Sequence, residues 1–330
     1  MPRPLTRRGL FTRPVLPTTP PAEFLVRVHR RIMACHVEVV LRGEHGRDLM
    51  NAGAALDEGD RLEQVMTIFR ETSELSRVNR EAQHGPVQVG AELWSVLSAA
   101  VDLSAATEGA FDVTSAPLSR CWGFLQREGR LPRPDEINHA REAVGMPLVK
   151  LDAGGRTVRF EHPRVELNLG AIGKGFALDR MGRLLEDRGT SRALLSAGSS
   201  SILVCGPDPW RVDLRTATTG DRLARLEMTG AAVGTSGSGQ QFFELDGVRY
   251  GHVIDPRSGW PASGILSASV IASNATSADA LSTAFLIGGI DLARRYCASH
   301  DEVVAIITPD DGARRPVRLG SHPRVQVELM

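Results

Sequence analysis

The chain has 330 residues, 42% of them hydrophobic, which is enough apolar material for a large buried core and excludes disorder over most of its length. Its 39 basic and 39 acidic residues cancel, so no global field draws it to nucleic acid or to an anionic membrane. No apolar run reaches the ~20 residues of a membrane span, and Cys35, Cys121, Cys205 and Cys297 are too scattered for a zinc site and read as small buried hydrophobes.

Residues 1–22 are rich in proline and arginine and read as a flexible arm. Arg7-Arg8 is not followed by the apolar stretch of an export signal, since Arg13, Pro14, Pro17 and Pro20 interrupt it, and cytoplasmic residence is the expectation. Alternating apolar positions at Val26 and Val28, then Val37, Val39 and Leu41, predict strands within 23–41. Helical spacing of Leu62, Val65, Met66 and Phe69 predicts a helix over 57–71, left through the polar run Thr72 to Asn79. A second helix is predicted over 91–106, and a short surface helix over 135–144 behind Pro132 and Pro134. A hairpin follows, 148–151 with 157–160, around Asp152-Ala153-Gly154-Gly155.

Residues 165–169 lead into a helix that runs through Ala177, Met181 and Leu185 to Gly189 as its C-terminal stop. Short strands are predicted at 193–196, 201–205, 211–214, 222–228 and 231–235, and a hairpin at 242–245 with 248–253 around Asp246-Gly247. After a strand at 267–272 come helices at 275–287 and 291–299 and strands at 303–307 and 315–319. Runs of antiparallel strands with irregularly interspersed helices define an α+β fold of mixed, largely antiparallel sheets, and residues 23–330 read as one domain because no internal linker breaks them.

Three segments carry candidate chemistry. Lys174 is one of two lysines in an arginine-biased chain and sits in Asn168-Leu169-Gly170-Ala171-Ile172-Gly173-Lys174-Gly175, where small residues allow a phosphorylated ligand close approach. A tight turn with a solvated lysine explains the same residues, and the spacing does not fit a Walker phosphate loop. Asp279 and Thr283 are four apart on a predicted helix, so their oxygens share one face and suit a hard cation such as Mg²⁺; Thr276 with Asp279 equally reads as a capping box. His252, in Tyr250-Gly251-His252-Val253-Ile254-Asp255-Pro256-Arg257-Ser258-Gly259, is placed to take a proton near neutrality, or is a strand histidine before a turn that Asp255 starts.

Taken in order, Ser73 to Asn79, Gly109 to Leu118, Asn168 to Asp179, Thr235-Ser236-Gly237, His252 to Gly259 and Ala278 to Thr283 resemble the FAD:protein FMN transferase family, also called ApbE. The resemblance implies a single α+β domain that uses Mg²⁺ to cleave FAD, moves FMN onto a threonine or serine hydroxyl of an acceptor flavoprotein, and releases AMP. It implies that the Ala171 carbonyl, Asp279 and Thr283 hold Mg²⁺, that His252 is the general base, and that Met33, Phe69, Ala110, Phe111, Asp112, Asn168, Lys174 and Ile254 contact FAD. Departures from the family pattern are Met33-Ala34-Cys35 for Met-Gly-Thr, Asn168 for an aspartate, Ser199-Ser200-Ser201 for a glycine-rich stretch, and Phe69 for a tyrosine. On the same scaffold, an FAD pyrophosphatase that uses water in place of the acceptor, or a flavin-binding protein without turnover, are the alternatives.

Overall fold

A computed structural model describes residues 13–14, 24–43, 46–216, 220–239 and 241–330. The expected arm at 1–22 lies outside them except for Arg13–Pro14, which pair with Asp213 and Val212 at a sheet edge. Eight antiparallel strands form the main sheet, in the order Val317–Ser321, Val303–Pro309, Ile265–Ala272, Ala232–Gly237, Ser201–Cys205, Ala193–Ala197, Cys35–Arg42 and Leu25–Ile32. Several of its strands are buried on both faces, which is why they read as unbroken apolar runs rather than as alternation. Val39, Leu41 and Leu195 face the larger core under the helices. Val40 and Leu194, one residue along, face a second core against the four-stranded antiparallel sheet Arg13–Pro14, Trp210–Arg215, Arg222–Met228 and Val325–Leu329.

Seven helices are described: α1 (Gly46–Met66), α2 (Glu74–Glu81), α3 (Ala91–Ala106), α4 (Ala116–Cys121), α5 (Pro134–Arg141), α6 (Gly173–Asp187) and α7 (Ala275–Ala298). Helix α6 packs against both α1 and α7, and α7 lies across the strands Ala232–Gly237 and Ile265–Ala272. Two glycines make that approach possible. A Cβ on Gly175 would stand 2.1 Å from the Ala275 carbonyl oxygen, and one on Gly234 would stand 2.2 Å from that of Ala278. The two helices expected at 275–287 and 291–299 are continuous except at Gly289, whose φ of 70° kinks them.

The helix expected over 57–71 is displaced. It begins at Gly46 and stops at Met66, because the Thr67 carbonyl is taken by the Ser73 hydroxyl at 2.5 Å and the Phe69 amide turns to Thr67 Oγ1. The polar run after it is itself a helix, α2, with Ser73 as N-cap accepting from the Ser76 amide. A small third core of Leu118, Trp122, Phe124, Ile137, Phe243 and Ile254 supports the hairpin Phe242–Leu245 with Val248–Gly251, which delivers His252.

Candidate active site

The N-terminus of α6, the first turns of α7, the strand Ala232–Gly237, the loop after α3 and the exit of the hairpin converge on one cavity of about 260 Å³. Ala110, Phe111, Asp112, Asn168, Ala171, Lys174, His252, Ile254, Asp279 and Thr283 all line it. Met33 and Phe69 do not; they line a neighbouring pocket of about 220 Å³ with Met66, Ile68 and Leu169, and the two spaces share Asn168, Gly170 and Lys174 as their common wall.

Asp279 is 4% exposed, and its hydrogen bonds decide between the two readings of its helix. Oδ1 accepts from the Ser201 hydroxyl at 2.7 Å, Oδ2 accepts from the Gly175 amide at 3.0 Å, and the Lys174 ammonium stands 3.6 Å from Oδ2. Capping is done by others. Asn274 Oδ1 accepts from the Ser277 amide, while Asp179 on α6 accepts from the Ala275 and Thr276 amides and the Thr276 hydroxyl. The capping-box reading of Thr276 with Asp279 is therefore overturned, and Asp279 is left to face the cavity. Burial raises the Asp179 carboxyl pKa, against these hydrogen bonds, which lower it.

Gly175 is the third residue of α6, so its amide is one of the first-turn donors that find no carbonyl within the helix, and Asp279 Oδ2 accepts from it instead. Among the described residues no group of three or more histidine, cysteine or carboxylate side chains is placed to hold a metal. Among the lining residues Asp279, Ala171 and Thr283 offer a carboxylate, a backbone carbonyl and a hydroxyl, an oxygen set that fits a hard cation such as Mg²⁺.

His252 is tied twice to the Gln241 carbonyl, by its backbone amide at 2.9 Å and by Nδ1 at 3.1 Å. Since a carbonyl only accepts, Nδ1 carries the proton and Nε2 keeps a free lone pair. Burial lowers the imidazole pKa below its usual value, the Gln241 carbonyl opposes this, and the Lys174 ammonium adds to the lowering. The ring is held as a neutral base. It follows the strand Val248–Gly251 rather than lying within it, so the expected strand to 253 ends two residues early.

Asp112 spends its carboxylate on backbone and hydroxyl groups: Oδ1 accepts from the Thr114 amide and hydroxyl of its own loop, and Oδ2 from the Met146 amide, 34 residues away. Burial raises its pKa against these bonds. Asn168 Oδ1 accepts from the Gly170 amide at 2.9 Å and shapes the turn before α6. Phe69 is 77% exposed at the pocket rim, where the early end of α1 puts it. Sequence reasoning gave no role to Ser201 or to Ser236, whose hydroxyl stands 3.0 Å from Thr283 Oγ1. Their partners lie 78 and 47 residues away, beyond any local signal.

The fold and this site define an α+β protein that presents a neutral imidazole, an ammonium and an oxygen donor set to one pocket. Its family follows from comparison. The ApbE family profile matches residues 33–307, and the chain belongs to that family. It is 32% identical to the FAD:protein FMN transferase of Vibrio cholerae over 76% of this chain and 78% of that one. It is 30% identical to the FAD:protein FMN transferase of Treponema pallidum, over 88% and 86% respectively. Among solved structures, the ApbE protein of Thermotoga maritima superposes with a TM-score of 0.81 at 28% identity, covering 90% of this chain and 97% of that one. No described helix is long and apolar enough to cross a membrane.

Proposed function

We infer that this chain transfers FMN from FAD to a threonine or serine hydroxyl of an acceptor protein and releases AMP. One observation carries the reading: a neutral-held imidazole, an ammonium and an all-oxygen donor set share one cavity, and Lys174 joins that cavity to an apolar pocket. FAD spans both spaces, with a ring system against Met33, Ile68 and Phe69 and its pyrophosphate beside Lys174. His252 Nε2 takes the proton of the acceptor hydroxyl while its oxygen forms a bond to the phosphorus of the FMN half and the bond from that phosphorus to the AMP oxygen breaks. Lys174 faces the negative charge that grows on the departing AMP.

Asp279, Thr283 and the Ala171 carbonyl would hold Mg²⁺. When bound, Mg²⁺ supplies charge neutralisation at the pyrophosphate. Ser201 and the Gly175 amide keep the Asp279 carboxylate fixed, so the site meets its ligand with little rearrangement. We also propose that residues 23–330 fold as one unit and that the chain works in the cytoplasm, a reducing compartment that suits the reduced thiols of Cys121, Cys205 and Cys297. Cell fractionation that finds it elsewhere would overturn the second point.

The test is incubation with FAD, Mg²⁺ and a panel of candidate acceptor proteins, followed by in-gel flavin fluorescence. A fluorescent acceptor band is expected. Free FMN and AMP with no labelled band would make the chain an FAD pyrophosphatase instead.

A further inference from the structure

Thr283 brings one hydroxyl proton to the oxygen-lined cavity, and its neighbours fix where that proton goes. Ser282 is fully buried and donates its O–H to the Asp279 carbonyl at 2.8 Å. A hydroxyl owns a single proton. The 2.8 Å contact between Ser282 Oγ and Ser236 Oγ is therefore donated by Ser236. Ser236 has then spent its own proton, so its 3.0 Å contact with Thr283 Oγ1 is donated by Thr283. A carbonyl ends the chain and can only accept, so the direction cannot reverse. Thr283 Oγ1 consequently turns lone pairs, not a proton, to the cavity that Ser236, Asp279 and Thr283 line together.

We propose that Ser236 and Ser282 are positioning residues: they draw the Thr283 proton into a relay that ends on the Asp279 carbonyl and so hold Thr283 Oγ1 as an oxygen donor for a divalent cation. The inference rests on the reading of Asp279 and Thr283 as cation ligands. Without the relay the Thr283 proton is free to swing into the cavity, where it repels a cation. Partners of this kind orient metal ligands in many sites, and their loss costs on the order of 10–100-fold in affinity.

The probe is Mn²⁺, titrated into the full chain and followed by the electron-paramagnetic signal of the free ion, with thermal unfolding in metal-free buffer alongside. Ser236→Ala is expected to weaken Mn²⁺ binding by roughly tenfold or more. Ser236→Thr keeps a hydroxyl on the same strand and is expected to restore it, which a purely structural role of Ser236 would not require. Ser282→Ala frees the Ser236 proton to point back at Thr283 and is expected to weaken binding as well, so it supplies the comparison should Ser236→Ala not fold. Parent-level affinity in a folded Ser236→Ala or Ser282→Ala variant overturns the relay, as does a Ser236→Thr variant no better than Ser236→Ala. A parent chain that binds no Mn²⁺ overturns the cation reading of Asp279 and Thr283 first, and the relay with it.

Discussion

The two spaces that meet at Lys174 are built in opposite ways. The oxygen-lined cavity stands on elements locked together: Gly175 and Gly234 admit the backbone of α7 to contact distance, Asp279 is buried, and its carboxylate is held from two sides. Its neighbour is lined by Met33, Met66, Ile68 and Phe69, with Met33 and Ala34 in a turn at φ 51° and 55° and Phe69 exposed at its rim. Methionine and an exposed phenylalanine adapt to what they touch, whereas a hydroxyl network does not. The contrast assigns chemistry to the rigid side and binding to the adaptable one, so damage to each should register in a different kinetic constant.

Asp279→Asn strikes the rigid side hardest. It keeps the shape and removes the charge, so kcat should fall by about a thousandfold, in the range of lost electrostatic stabilisation, while FAD still binds. Steady-state kinetics checks this, and a variant within tenfold of the parent would contradict the division. His252→Gln should lower kcat by roughly a hundredfold, the lower end of what a general base contributes. The working form of His252 is neutral, and its pKa lies below the usual ~6.5. In the parent, kcat/KM should therefore hold as pH falls to about 6.5 and drop only below that, through the lowered pKa. Lys174→Met removes one cause of the lowering, and a pH profile of that variant should show the acid limb moved upward.

Gly175→Ala tests the rigidity itself. Its Cβ has nowhere to go at 2.1 Å from a backbone oxygen, so stability should fall by roughly 3 kcal/mol, read from denaturant unfolding. On the adaptable side effects should be smaller. Phe69→Ala should raise KM for FAD several-fold and leave kcat and the unfolding midpoint near the parent. Ala34→Gly relieves a left-handed alanine, and after the entropy that glycine costs, it should stabilise the fold by roughly 0.5–1 kcal/mol.

How much of this was legible in the sequence follows the same division. Helix α3 matches its expected 91–106 because Leu93, Val96, Leu97, Ala100 and Leu103 form one dense apolar stripe. The first half of α1 was not legible, since its buried face is Asn51, Ala52, Ala55 and Leu56, too small and too polar to set a period. Helix α2 has only Leu75 and Val78 as its apolar face, too few to set a period, whereas Val325, Val327 and Leu329 alternate with polar residues and mark the last strand in the sequence itself. At the site, Asp279 and Thr283 show in the sequence through their helical spacing. The contacts that make them useful come from distant strands, and no local pattern reports a hydroxyl proton's direction.

The most direct measurement is a structure of the Asp279→Asn chain with FAD, paired with one of the parent chain with AMP and Mn²⁺ located by its anomalous scattering. One FAD ring system is expected against Met33 and Phe69, the pyrophosphate beside Lys174, and Mn²⁺ in the parent between Asp279, Thr283 and the Ala171 carbonyl. Flavin nucleotide lying wholly outside the Met33 pocket, or a metal distant from Asp279, would contradict this placement.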